Sequence, residues 1–534
     1  MRIRRAYKPR RLLKFRGICL LRWFPVALLA VTAAFIVVSR PHQSVGALNS
    51  LPFESRVSGG VVTYGDCAGT ANVVMFGSLR DGSADADHAA KIDAMISAYG
   101  LQDEAQVLFF DVDQPYDAVK DYISGRGWEN VSVFTGGAKW MWDKLPDMDN
   151  VTTPVIFYVD EREKIISADA GARSKIEIAK KLTELLGRDF AGISGYSDDT
   201  SPRALADTDG GDYNARRAAI EAYWERLRTL APPEGYDYDP YLSPPLTVAP
   251  YAAGTLRGEY IDYALTALNF TRFLAGLPDD VTAADELNEL AGHGALLMAA
   301  SGYGHEPPRP ADMDDALYEM GLRGTMSGNI AFAGAAGGQG LQLLGDTIIH
   351  GWIADSGEEN LRNVGHRRWF FNPDMLYTGF GLADSSEGGW VSRFADAYAS
   401  DVSRGELVVY QAIAYPSGAA FPSDVFRGDY PWSVTLNPEI YAAPDIDAVT
   451  VELSGGGASY TFSKESLPQD GSYFDGDYFN IDVGSYGVTN CIIFRPGGIE
   501  AYAGEYAVAV RGIETISGED AELRYTVRFF SLDP

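Results

Sequence analysis

The chain has 534 residues, enough for several domains. Its 44 Lys and Arg stand against 73 Asp and Glu, and a formal net charge of −29 repels nucleic acid and excludes a nucleic-acid binder. A hydrophobic share of 46% excludes a disordered acidic polymer, and three cysteines (Cys19, Cys67, Cys491) are too few for a disulfide framework or a four-cysteine zinc site.

Residues 1–40 hold ten basic side chains and no acid, with an apolar run over 23–38. This pattern predicts an export signal or signal anchor within residues 1–47. The remainder is then extracytoplasmic, either held at the cell surface by a membrane anchor or secreted. Cleavage after Ala47 and retention of the segment are both open. The run of sixteen is short of the roughly 20 residues that a spanning helix prefers, unless it starts at Ile18 and Arg22 snorkels.

Over residues 55–190 the pattern alternates, which predicts an α/β sheet. Strands are expected at 73–76, 107–112, 131–134, 155–159 and 164–168, and helices at 88–99, 116–123 and 174–186. This order resembles the thioredoxin fold, as does Thr152-Thr153-Pro154-Val155 entering a strand, followed by Asp160 in a turn. The resemblance implies a cis proline at Pro154 beside the active site, and two redox cysteines at about Arg80 and Ser83. Neither residue is a thiol, so the domain is expected to be redox-inactive and to serve binding or spacing. Cys67 precedes the first of these strands and has no cysteine nearby.

Residues 191–249 read as a linker. The polar stretch 195–211 has the composition of a tether, and Ile220, Tyr223, Trp224 and Leu227 define one apolar helix face. A run rich in Tyr and Pro follows and is expected to be extended.

Residues 250–425 carry the candidate chemistry. Ile261, Leu265, Leu268 and Arg272 mark a first helix. Leu287, Leu290, Leu297 and Met298 mark a second, and Leu341, Leu344, Ile348 and Trp352 a third that ends near Asp355. Strands are expected at 377–382, 390–394 and 407–413, so that helices precede strands as in an α+β sandwich.

At these residues the chain resembles the CAP superfamily (cysteine-rich secretory, antigen and pathogenesis-related proteins, or SCP-like) in its bacterial, disulfide-free form. The matching stretches are Asn269-Phe270-Thr271-Arg272, Gly302-Tyr303-Gly304-His305, Ser327-Gly328-Asn329-Ile330, Trp352-Ile353-Ala354-Asp355 and Gly365-His366-Arg367-Arg368. The resemblance implies an α-β-α sandwich with a cavity lined by His305, Asp355, His366 and Asn329. Asp355 stands where the family has a glutamate, and Gly328 replaces the family's second acid. His305 and His366 could hold a divalent metal such as zinc. No His-Glu-x-x-His helix or Gly-x-Ser-x-Gly elbow is present.

Residues 430–534 show short alternating segments, which predict an all-β sandwich, immunoglobulin-like in broad architecture. Asp470, Asp475, Asp477 and Asp482 do not match a calcium loop and are read as solvated turns. The chain is therefore expected to be multidomain, α/β and α+β with a β-sandwich. Its expected role is a surface protein binding a small lipid, a peptide or a cell-wall component in a non-catalytic cleft. The alternative is a metal-dependent hydrolase at His305, Asp355 and His366.

Overall fold

The computed structural model describes residues 52–55, 61–63, 70–80, 83–124, 128–135, 153–162, 164–193, 213–233, 237–466, 476–484 and 486–532. The leader within residues 1–47, Cys19, Cys67, the tether 195–211, Asp470 and Asp475 lie outside them. Among the described residues no helix is long and apolar enough to cross a membrane. The protein is mixed α/β with several sheets, and it divides into two compact units, 1–193 and 194–534.

The first unit is built on a seven-stranded sheet. Its strands are β1 (Pro52–Ser55), β2 (Val61–Thr63), β3 (Ala71–Gly77), β4 (Ala105–Asp111), β5 (Val131–Thr135), β6 (Val155–Val159) and β7 (Ile165–Ala170), in the order β2-β1-β5-β4-β3-β6-β7. Helix α1 (Ala84–Ala98) crosses from β3 to its parallel neighbour β4, and α2 (Tyr116–Ser124) from β4 to the parallel β5. β6 and β7 then add an antiparallel hairpin beside β3, and α3 (Lys175–Leu186) closes the unit. β3 and β6 are buried along their whole length, which is why they read as unbroken apolar runs. Phe76, Phe110 and Phe134 stack across β3, β4 and β5 at 4.9 Å steps. Ser174 and Glu177 form a reciprocal cap that starts α3, and Gly187 in the left-handed region ends it.

The second unit opens with α4 (Tyr213–Leu230), whose Ile220 and Leu227 are buried; Tyr223 lies against Phe270 and Phe273. The hairpin β8 (Tyr241–Ser243) and β9 (Thr255–Leu256) leads into α5 (Gly258–Leu274). There Asn269 exchanges two hydrogen bonds with the Val281 backbone, and Arg272, wholly buried, donates to the carbonyls of Pro278, Phe370 and Asn372. Burial pushes the Arg272 guanidinium down to about 9. This Asn-x-x-Arg pair is a brace: it ties the helix to two loops that would otherwise bury bare carbonyls.

After β10 (Thr282–Ala283), α6 (Asp285–Ser301) and α7 (Asp315–Ser327) pack closely, and β11 (Gly328–Ala336) leaves α7 directly. The third helix differs from the sequence expectation. It is one α turn, α8 (Leu344–Thr347), that continues as a π-helical turn over Ile348–Trp352. A 3₁₀ turn (Asn360–Arg362) and α9 (Gly365–Phe370) follow. β12 (Tyr377–Thr378) pairs with β10, while β13 (Phe380–Glu387) and β14 (Trp390–Tyr398) join β11 in a sheet of order β11-β14-β13. α6 lies on that sheet so closely that a Cβ on Gly381 would come within 2.2 Å of the Ala291 backbone.

The remaining strands are β15 (Ala412–Tyr415), β16 (Ala419–Pro422), β17 (Trp432–Leu436), β18 (Thr450–Gly455), β19 (Ala458–Phe462), β20 (Tyr478–Asp482), β21 (Cys491–Arg495), β22 (Gly504–Glu514) and β23 (Asp520–Phe530). They form sheets of order β15-β17-β21-β20 and β16-β23-β22-β18-β19. The strand expected at 407–413 is displaced to Ala412–Tyr415, because residues 407–410 make no ladder. Trp432 and Phe494 from one sheet meet Phe529 and Phe462 from the other. One apolar core runs through these sheets and on through α4, α5 and the α8 turn.

Candidate functional site

In the first unit the loop after β3 holds Arg80 and Ser83. Ser83 caps α1 by accepting from the Ala86 N–H, and its hydroxyl also donates to the Ser78 carbonyl at 2.8 Å. Arg80 pairs with Asp113 at 2.5 Å, and Asp113 accepts the Ser78 hydroxyl at 2.6 Å. Asp85 and Asp111 take the N–H groups of Ser78 and Leu79. The Thr153–Pro154 bond is cis, and the Phe76–Val155 register sets Pro154 at the end of β3 from which this loop leaves. Arg80, Ser83 and Pro154 thus sit at one end of the sheet, and the loop that carries the first two is closed by carboxylates and hydroxyls. Among the described residues the one cysteine is Cys491, buried in the other unit.

In the second unit α9 begins at Gly365, so His366 sits in its first turn. The His366 Nδ1 lies 2.8 Å from Asp355 Oδ1, while Asp355 Oδ2 accepts the Arg367 N–H at 3.0 Å. Asp355 is buried and adopts φ 48°, a left-handed conformation uncommon for a residue with a Cβ. Burial pushes the His366 imidazole down, but the charge and hydrogen bond of Asp355 outweigh it and hold the ring above its ordinary value. Asn329, at the start of β11, donates from its amide to the His366 carbonyl at 3.0 Å. From the loop after α6, His305 sets its Nδ1 2.5 Å from the Thr325 carbonyl.

His305, His366 and Asn329 line one cavity of about 170 Å³. Each histidine has its Nδ1 engaged, one by a carbonyl and one by a carboxylate, and that leaves Nε2 as the nitrogen able to meet a ligand. Asp355 lies behind His366 and is not in the lining. Ser327, Gly328, Ala399 and Ser400 form a second wall; the Ser400 hydroxyl donates to the Ser327 carbonyl at 2.7 Å. Asn360, Asn363 and Trp369 form a third.

Two residues of this region escaped sequence reasoning. Tyr486, from the loop between β20 and β21, also lines the cavity. Arg368 anchors that loop through Asp482 at 2.7 Å and the carbonyls of Val488 and Gly484, and its guanidinium stands 5.1 Å from the Tyr486 ring. Asp482 is therefore occupied by an ion pair, and Asp477 accepts the Gly497 N–H. The second missed residue is Asp396 on β14, wholly buried with neither carboxyl oxygen hydrogen-bonded. It fills the space between two glycines: a Cβ on Gly294 or Gly328 would lie 1.9 or 1.8 Å from its oxygens. Burial pushes this carboxyl well above the usual range.

Among the described residues there is no group of three or more His, Cys, Asp or Glu able to hold a metal ion. The two histidines offer two of the four ligands that zinc takes in tetrahedral sites.

No family model matches the sequence, and no curated protein matches it. Among solved structures, part of the chain is similar to thioredoxin-like folds. A thiol:disulfide interchange protein of the thioredoxin family from Chlorobium tepidum is 17% identical with a TM-score of 0.22, over 26% of this chain and 94% of that one. The exposed lipoprotein thioredoxin Etrx1 of Streptococcus pneumoniae is 16% identical with a TM-score of 0.21, over 25% and 98%. Copper-bound ScoI of Arabidopsis thaliana is 13% identical with a TM-score of 0.22, over 26% and 96%.

Proposed function

We propose that the chain is an exported surface protein whose residues 250–425 form a CAP-like domain that binds a ligand in the cavity of His305 and His366. A redox-inactive thioredoxin-like domain precedes it, and a β-sandwich follows. The observation that carries this reading is the convergence of the two histidines on one cavity, each ring oriented through Nδ1 with Nε2 left for a ligand. The ligand is a small lipid, a peptide or a cell-wall component.

A second reading, a metal-dependent hydrolase, starts from the same pair of rings. A zinc ion between them would act as a Lewis acid and lower the pKa of a bound water. Against it, no Asp or Glu among the described residues lines the cavity, and both oxygens of Asp355 already hold His366 and Arg367 rather than standing ready to take a proton.

Calorimetric titration of zinc into the metal-free full chain, beside a His305→Ala/His366→Ala variant, separates the two readings. Binding reading: the two proteins give the same heats. Tight zinc binding by the native chain alone would overturn it in favour of the hydrolase.

A further inference from the structure

We infer that the cavity takes a neutral sugar ring, recognised jointly by α9 and the loop between β20 and β21. This rests on reading the cavity as a ligand site, and it names the class of ligand.

The lining decides the class by what it offers. Among the described residues it contains no Asp, Glu, Lys or Arg, so a phosphate or a carboxylate would be buried without a lysine or arginine to pair it. Both oxygens of the Asp355 carboxylate are taken by the His366 ring and the Arg367 N–H, so it turns neither toward a ligand. Instead Asn329, Asn360 and Asn363 bring side-chain amides, of which Asn329 already donates to the His366 carbonyl and Asn363 already accepts the Gly365 N–H, and Ser327 and Ser400 bring hydroxyls that donate to the Arg323 and Ser327 carbonyls and keep their oxygens as acceptors. A ring bearing several hydroxyls, each both donor and acceptor, satisfies such a lining; an acyl chain would leave it bare.

Size and shape agree. At about 170 Å³ the cavity is well below the roughly 300–1,000 Å³ that enclose a drug-sized ligand, so it holds one ring of a longer molecule rather than a folded lipid tail. Two aromatic side chains complete it. Trp369 comes from α9, and Tyr486 comes from about 120 residues further along the chain. The Tyr486 ring lies against the Gly365 backbone, where a Cβ would come within 2.9 Å of it. The loop also covers Trp369, since a Cβ on Gly487 would come within 3.0 Å of it. The glycines at 365 and 487 are thus the residues that let both rings approach the same cavity.

The experiment is calorimetry on the full chain with chitotriose, cellotriose and maltotriose, beside palmitate and trialanine. At least one trisaccharide is expected to bind, and Tyr486→Ala and Trp369→Ala are each expected to weaken it about tenfold, the loss of one ring contact. Tyr486→Phe keeps the ring and should stay close to the native value, and a thermal melt of each variant shows that it folds. Trisaccharide binding that ignores both aromatic variants would overturn the inference. So would binding of palmitate or trialanine alone; if that binding is lost in His305→Ala/His366→Ala, the ligand class is wrong while the cavity reading stands. Binding of no probe by any protein overturns both.

Discussion

At the scale of single residues, His366 and Asp355 behave as a unit. The folded-state pKa of His366 is raised, so its pairing stabilises the protein fully below the unfolded value near 6.5 and fades as pH rises through the raised value. Asp355→Asn is therefore expected to lower the His366 pKa below 6.5, since burial then acts alone, and to destabilise more at pH 5.5 than at pH 8.5. An NMR titration of the imidazole and melts at the two pH values check this. Asp396 carries the same sign in a more acidic window. Its folded pKa is also raised, so stability falls as pH rises above the ordinary aspartate range. The slope is about 1.4 kcal/mol per pH unit until the buried group ionises. Asp396→Asn is expected to flatten that slope and to raise the melting temperature more at pH 7 than at pH 4.

At the scale of elements, the site depends on helices brought unusually close to strands. Gly379 and Gly381 of the β13 region face the α6 backbone at Leu287 and Ala291, and Gly324 of α7 faces Gly294 of α6. Backbone cannot move aside as a side-chain tip can, so Gly381→Ala must push α6 off the sheet. A loss on the order of 3 kcal/mol or more is expected in denaturant unfolding, at the top of the usual range for overpacking. The π-helical turn at Ile348–Trp352 also matters here. Its wider winding seats the Trp352 indole N–H on the Ile330 carbonyl at 2.9 Å and is followed by Asp355 in its left-handed conformation. Val364, at φ 45° just before α9, is a second such residue. One strained position is the carboxylate of the pair itself and the other lies two residues before its imidazole, a placement in which surrounding packing holds what the backbone alone disfavours.

At the scale of the molecule, two arginines knit the site to the last strands. Arg367 is wholly buried and donates to the carbonyls of Ile353, Ala354 and Pro431 and to the Ser433 hydroxyl; Arg368 donates to Val488 and Asp482. Deleting residues 430–534 removes Pro431, Ser433, Asp482 and Val488 together, and it strips Trp432 and Phe529 from the shared core. Buried guanidinium groups without acceptors are costly. A chain ending at residue 429 is therefore expected to lose cooperative unfolding and near-ultraviolet circular dichroism in its second unit. A chain that keeps 213–534 is expected to retain both.

Much of this architecture was legible in local pattern. The strand and helix alternation over residues 71–186 follows from runs whose period matches the element they form, and the Ser174 cap and the apolar face of α4 are equally local. His305, Asp355, His366 and Asn329 could be named because each sits in a short recognisable stretch. Other features follow no such period. β17 is five buried residues without alternation, a pattern that helices and strands share. Asp396 looks like an ordinary polar position until the register sets it opposite Ile330 and between two glycines. Tyr486 and Asp482 join the site through contacts that span more than a hundred residues. Local period and capping are written in neighbouring residues, whereas the closure of the cavity and the burial of Asp355 and Asp396 depend on which distant groups share a buried volume, and that is set when the core packs.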